Sequence, residues 1–218
     1  MTLQKKINEM KEQSGQNIPE GIKAIMEKSA KKLKEQHIED HALQEGDQIP
    51  SFKLKNALGE IVSSQALLAQ GPLVINFYRG EWCPYCNLEL QAYKEISSEI
   101  KKLGGQLVAI SPATPDNSLS IKEKHALDFE ILSDLDNKVA KAFGLVFKLD
   151  EQLLPIYNKM GIDLVESQNN ENYELPMPAT YVVDQTGKIK LAYANSDYTK
   201  RLEPKDTLKA LKSLSSGE

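Results

Sequence analysis

The only two cysteines of the chain stand two residues apart in Trp82-Cys83-Pro84-Tyr85-Cys86, where an apolar run gives way to a helical pattern. The run Leu73-Val74-Ile75-Asn76-Phe77-Tyr78 has the length and β-branched content of a buried strand, and Gly71-Pro72 punctuates its start. Beyond the cysteines, Leu90, Tyr93, Ile96, Ile100 and Leu103 recur at helical spacing until Gly104-Gly105 ends the pattern. The cysteines therefore occupy a strand-to-helix junction. Pro84 suits a first helical position, where its missing amide costs nothing. Cys83 then falls at or just before the helix start, and Cys86 in its first turn.

That position favours thiolate over thiol, because unpaired amides and the helix dipole stabilise negative charge at an N-terminus. A free cysteine of pKa about 8.5 is roughly 3% ionised at pH 7, whereas one near 7 is about half ionised. A Brønsted slope of about 0.45 trims this roughly sixteenfold gain to about threefold in attack rate. The larger benefit is a better leaving group when the disulfide is attacked in turn, which suits a site that must cycle. Two other uses of the pair exist. Zinc could take Cys83 and Cys86 together with His37 and His41, and a structural disulfide could form, although so short a loop restricts the unfolded chain little. A redox dithiol is the use that fits a strand-helix-strand context.

A chain of 218 residues suffices for one domain with an extension, and two cysteines do not make a disulfide scaffold. Its first residues carry no apolar signal core, and no segment approaches membrane-spanning length. A reducing cytoplasm is the expected compartment. A net charge of -4 with no basic cluster among aromatics excludes the usual nucleic-acid footprint.

Residues 1–44 read as a helical extension, with apolar stripes at Leu3, Ile7, Met10 and at Ile22, Ile25, Met26, Ala30, Leu33 separated by Ser14-Gly15-Gln16-Asn17. Balanced Lys and Glu fill the opposite face; a solvated surface is the simplest reading, and a homodimer contact is the alternative. Residues 45–218 read as a single α/β domain. A hairpin around Leu58-Gly59 precedes the 73–78 strand and the helix from Cys83 to Leu103. A strand at Gln106 to Ser111, a helix near Asn117 to His125, a strand at Phe129 to Leu132 and a helix at Asn137 to Phe143 follow. Residues 145–175 are less regular, with a helix expected over Glu151 to Met160 and a polar loop at Gln168 to Tyr173. Ala179 to Val183 and Ile189 to Ala194 flank Asp184-Gln185-Thr186-Gly187 as a hairpin, and Pro204 opens a last helix. The pattern gives a sheet covered on both faces. There is no glycine-rich dinucleotide or phosphate loop.

Three segments in order, Gly46-Asp47-Gln48-Ile49-Pro50-Ser51-Phe52, Val74-Ile75-Asn76-Phe77-Tyr78 with its cysteines, and Ala179-Thr180-Tyr181-Val182-Val183-Asp184-Gln185-Thr186-Gly187, resemble the alkyl hydroperoxide reductase / thiol-specific antioxidant family. The resemblance covers roughly residues 44–212. It implies a thioredoxin-like fold and a thiol-dependent peroxidase, with no cofactor or metal, that closes a Cys83–Cys86 disulfide and is recharged by a thioredoxin-type or glutaredoxin-type reductant. Two positions depart from the family pattern. Cys86 takes the peroxidatic position, while Cys83 replaces the usual threonine; and Pro178 stands where an arginine usually precedes the strand beginning at Ala179. Pro178 resembles the cis-proline of thioredoxins, which implies a cis Met177–Pro178 bond against the dithiol and a place for a substrate disulfide. Cys-Pro-Tyr-Cys is also the tetrapeptide of glutaredoxins, so a protein-disulfide or glutathione-disulfide reductase is the alternative activity, and a redox-sensing or zinc-binding interaction module the non-enzymatic one.

Arg79 is the nearest cation in sequence and the candidate to replace the missing arginine beside the substrate. Trp82 is expected beside the dithiol, and Tyr85 at its entrance. Glu81 reads as an exposed carboxylate with proton transfer as its functional alternative, Thr180 as a strand residue, and His125 as a solvated helix residue. Tyr181, Tyr193 and Tyr198 read as ordinary sheet and edge residues. The thioredoxin pattern and exposure at the helix start select Cys83, whereas the family pattern selects Cys86; for peroxide Cys86 is the expected nucleophile, because the framework outside the motif resembles the family.

Overall fold

The computed structural model describes residues 1–216. Helices α1 (Leu3–Gly15) and α2 (Glu20–Glu35) come first, followed by a single 3-10 turn at Ile38–His41 and the hairpin β1 (Lys53–Asn56) and β2 (Ile61–Ser63). Then α3 (Ser64–Leu68), β3 (Leu73–Phe77), α4 (Pro84–Lys102), β4 (Gln106–Ser111), α5 (Pro115–Lys124), β5 (Glu130–Ser133) and α6 (Lys138–Ala142) alternate. The chain closes with β6 (Val146–Lys148), α7 (Leu154–Lys159), α8 (Leu164–Gln168), β7 (Glu174–Pro176), β8 (Ala179–Val183), β9 (Ile189–Ala194) and α9 (Pro204–Ser216).

Seven strands form one sheet in the order β2-β1-β5-β4-β3-β8-β9. β3, β4 and β5 are parallel, while β8 and β9 add as an antiparallel hairpin on the other side of β3. Alternation along β3 divides the core. Leu73, Ile75 and Phe77 join Phe143, Tyr181 and the 42–54 segment on one face, and Val74 and Tyr78 join Leu90, Tyr93, Ile100 and Leu211 of α4 and α9 on the other. A central strand buried on both faces is what its unbroken apolar run requires.

The 145–175 region holds more order than its sequence suggests. β6 and β7 pair as a two-stranded ribbon, with Phe147 opposite Leu175, and α8 covers part of what reads as loop. The expected cis bond is a correction: no peptide is cis among the described residues, so Met177–Pro178 is trans. The reason is local. Pro176 pairs with Val146, Met177 N–H donates to Leu145 O at 2.8 Å, and β8 begins at Ala179. The chain therefore runs extended through Pro178 and has no tight turn for a cis bond to make.

The N-terminal helices are laid onto the domain. Leu3 and Ile7 of α1, both buried, pack on Tyr85, Leu88 and Ala92 of α4. The free amides of Leu3 and Gln4 donate to the Glu203 carboxylate at 3.1 and 2.9 Å, a charge-assisted cap at a helix N-terminus. Ile7 is fully buried, so Ile7→Ala is expected to destabilise the whole protein by about 2–5 kcal/mol. Urea unfolding would show this as a lower midpoint at unchanged slope; a wild-type midpoint would mean that α1 is not docked.

Candidate active site

The dithiol sits where β3 hands over to α4. After Phe77 the loop carries Tyr78 and Arg79, turns at Gly80, and reaches Cys83, whose amide donates back to Gly80 O at 3.2 Å. Cys83 is the N-cap residue of α4 in extended conformation, Pro84 opens the helix, and Cys86 completes its first turn. Gly80 is required by packing: a Cβ there would meet Trp82 Nε1 at 2.5 Å. Its absence lets the indole fold back over the loop.

Both thiols are buried and reduced, so Cys83 lacks the exposure expected of it at the helix start; the Sγ atoms are 2.6 Å apart, with Cys86 donating to Cys83. Burial works against ionisation of Cys83, but that hydrogen bond and the charges of Arg79 and Arg201 outweigh it and bring its pKa down to about 6. Cys86 moves the other way. Burial, its donor role and the neighbouring Cys83 charge hold it well above the ordinary range, and Arg201 opposes this only in part. The two thiols titrate as a coupled pair, and the charges of Arg79 and Arg201 draw the first ionisation toward Cys83.

Two guanidiniums flank the sulfurs. Arg79 is 4% exposed and among the described residues has no carboxylate partner; it lies over the rings of Tyr198 at 4.5 Å and Trp82 at 4.9 Å and donates to Tyr157 Oη. Arg201, from the loop between β9 and α9, donates through Nε to Glu89 Oε2 at 2.7 Å and through Nη2 to Cys86 Sγ at 3.5 Å. It also donates to the backbone oxygens of Tyr198 and Lys200, which fix the loop around it. Glu89 is one turn beyond Cys86 on α4. Burial pushes its carboxyl up to about 7, with the Arg201 charge opposing the shift. Below this cluster, Thr180 joins Asn76 and Tyr93, and Tyr93 reaches Thr207, so that β3, β8, α4 and α9 are locked together under the site.

Of the residues singled out from sequence, Cys83, Cys86, Arg79 and Trp82 come together. Pro178 is buried at the same end of the sheet, since Ala179 pairs with Phe77. Tyr85 is half-buried with its ring 5.7 Å from that of Tyr198. Glu81 is half-buried instead of exposed, because it accepts from Ser167 Oγ at 2.9 Å and ties the loop to α8. Thr180 does more than fill a strand, through the hydrogen bonds just described. His125 lies at the surface beside Gln91. His37 and His41 do not join the thiols: among the described residues no cluster of three or more His, Cys, Asp or Glu could hold a metal. Tyr198 is no ordinary edge residue, because its ring covers Arg79.

Arg201 and Glu89 escaped the sequence reading, yet both left a signal. The chain has 27 basic residues, of which Arg79 and Arg201 are the only arginines. Glu89 is the single carboxylate on the buried stripe of α4 formed by Cys86, Leu90 and Tyr93.

Comparison with known proteins agrees with this geometry. The sequence profile of the AhpC/TSA family matches residues 45–192. The chloroplastic peroxiredoxin Q of Populus jackii is 30% identical over 169 residues, covering 78% of this chain and 68% of that one. That of Sedum lineare is 29% identical over 169 residues, covering 78% of each. Among solved structures, the peroxidoxin BcpB of Mycobacterium tuberculosis superposes with a TM-score of 0.62 at 20% identity, over 79% of this chain and 98% of that one. Peroxiredoxin Q of Xanthomonas campestris gives 0.59 at 18%, over 80% and 99%. These structures establish a thioredoxin-like fold. The chain belongs to the AhpC/TSA family and is a thiol-dependent peroxidase.

The charge assignment is checked by ultraviolet thiolate absorbance of the reduced protein. One thiolate per chain should appear with a midpoint near pH 6 and persist through neutrality. Removing a positive charge with Arg79→Met should move that midpoint upward. A wild-type titration starting only in the range of ordinary thiols, about 8–9, would contradict it.

Proposed function

We propose that the protein reduces hydroperoxides with Cys83 as the attacking thiolate and Cys86 as the resolving thiol. The observation that carries this is the Cys86-to-Cys83 hydrogen bond between two buried arginines, which leaves the charge on Cys83. The family alignment favours Cys86 for the first step. The electrostatics favour Cys83, and Arg79, whose charge acts on Cys83, also lines a cavity of about 980 Å³.

The chemistry balances with these groups. Cys83 thiolate attacks one peroxide oxygen, the O–O bond breaks, and the departing alkoxide takes the Cys86 proton to leave as alcohol. Arg79 and Arg201 supply fixed positive charge where negative charge builds. Cys86, now a thiolate held by Arg201, attacks the Cys83 sulfenic acid, closes the disulfide and expels hydroxide, which solvent protonates. A dithiol reductant of thioredoxin or glutaredoxin type returns two electrons. A cytoplasmic or other reducing compartment suits this recharging.

One equivalent of hydrogen peroxide should remove both thiols and lower the mass by two hydrogens, reversibly with dithiothreitol, and thioredoxin with its reductase should sustain turnover. A stable sulfenic or sulfinic acid in the wild-type protein would contradict resolution by Cys86. Insulin reduction without peroxide reduction would replace this reading with the disulfide-reductase one.

A further inference from the structure

The two arginines of the site are held by opposite means. Arg201 meets the Glu89 carboxyl at 2.7 Å. Arg79 has no carboxylate among the described residues and is enclosed by aromatic rings instead. Its guanidinium carbon lies 4.5 Å from the ring centroid of Tyr198, 4.9 Å from that of Trp82 and 5.9 Å from that of Tyr157, all within the roughly 6 Å reach of a cation–π contact. The three rings arrive from three segments: the loop between β3 and α4, helix α7, and the loop between β9 and α9. They are braced in turn, Trp82 against Tyr157 at 5.6 Å and Tyr198 against Tyr85 at 5.7 Å. Tyr198 lies outside the 45–192 stretch that matches the family.

A buried guanidinium must be compensated, and the means of compensation decides what its charge can do. A carboxylate cancels the charge, so a nearby thiol feels an ion pair. An aromatic face attracts the cation through its quadrupole and brings no net charge. The rings therefore fix Arg79 in place and leave its charge to act on the dithiol. Cys83 also faces Arg201, Cys86 and the phenols of Tyr85 and Tyr198. Those phenols add no competing anion, because burial raises Tyr85 and pushes Tyr198 up to about 12. One guanidinium N–H goes to Tyr157 Oη, while Nε has no partner among the described residues, so a donor remains unspent.

We propose that Tyr198 is a positioning residue of this peroxidase: with Trp82 and Tyr157 it forms an aromatic cage that holds Arg79 as an uncancelled cation beside Cys83. This rests on the reading of Cys83 as the attacking thiolate and names the groups that sustain it. Tyr198 acts through Arg79, so its loss should resemble a weakened Arg79 charge.

The test follows thiolate absorbance of the reduced full-length protein, and kcat/KM for hydrogen peroxide, as functions of pH. Tyr198→Leu removes the ring and should raise the thiolate midpoint by about one pH unit, the order of a desolvated cation–π contact. A raised midpoint leaves less thiolate at low pH, so kcat/KM should fall about fivefold at pH 6 and recover as pH rises through 8. Tyr198→Phe keeps the face and should titrate as wild type. The double variant Tyr198→Leu/Arg79→Met should have a midpoint no higher than Arg79→Met alone, because the ring works through the guanidinium. Trp82→Phe and Trp82→Leu repeat the comparison on a second face if Tyr198→Leu melts below wild type. A wild-type midpoint in a Tyr198→Leu protein that melts like wild type would overturn the proposal. So would equal shifts in the Leu and Phe variants, or additive shifts in the double variant. An ordinary thiol midpoint in the wild type, unmoved by Arg79→Met, would instead remove the Cys83 assignment, and the role of the cage with it.

Discussion

Two guanidinium groups buried in one small volume are the constraint around which this protein is organised. A buried cation without compensation is costly by several kcal/mol even after relaxation, so each needs an anion or a dense set of acceptors. Arg201 has Glu89 at 2.7 Å and two backbone oxygens. Arg79 has aromatic faces and a tyrosine hydroxyl but, among the described residues, no carboxylate. The remaining anion is the dithiol itself. Two positive charges against one carboxylate favour a single thiolate, and the second thiol, unable to ionise beside the first, becomes a hydrogen-bond donor to it. The division of labour between Cys83 and Cys86 thus follows from the local charge balance.

The same constraint explains why the N-terminal helices matter to a site they do not touch with a catalytic group. Arg201 sits on a loop, and a loop holds a charge in place only if its backbone is tied down. Gln4 of α1 does part of this, donating to Thr199 O at 3.1 Å and accepting from the Arg201 amide at 3.3 Å. The Glu203 cap on α1 fastens the other side of that loop. Sequence with its own stripe and its own solvated face therefore folds as part of the domain, α1 bracing the Arg201 loop and α2 walling the approach to Arg79.

Much of this was legible in the residues. The strand, the helix start and the placement of Cys83 and Cys86 follow from an apolar run, a proline and a 3.6-residue stripe, all of them local signals. The parallel order of β3, β4 and β5 follows from their alternation with helices. Three features were not legible for three reasons. β6 and β7 are three residues each, too short for a periodicity, and exist through their pairing. Pro178 resembles the thioredoxin cis-proline by its place before the strand at Ala179, whereas its trans bond is set by the β6–β7 ladder running directly into β8. Arg201 lies 115 residues from Cys86, and no local pattern brings it there; only the scarcity of arginine in a lysine-rich chain marked it.

The central claim, that the arginines place the reactive charge on Cys83, is tested most directly by single-turnover oxidation of the two cysteine-to-serine variants, with sulfenic acid trapped and quantified at neutral pH. The account predicts fast formation of a Cys83 sulfenic acid in Cys86→Ser and slow oxidation of Cys83→Ser. Fast sulfenic acid formation at Cys86 in Cys83→Ser, with Cys86→Ser inert, would contradict it.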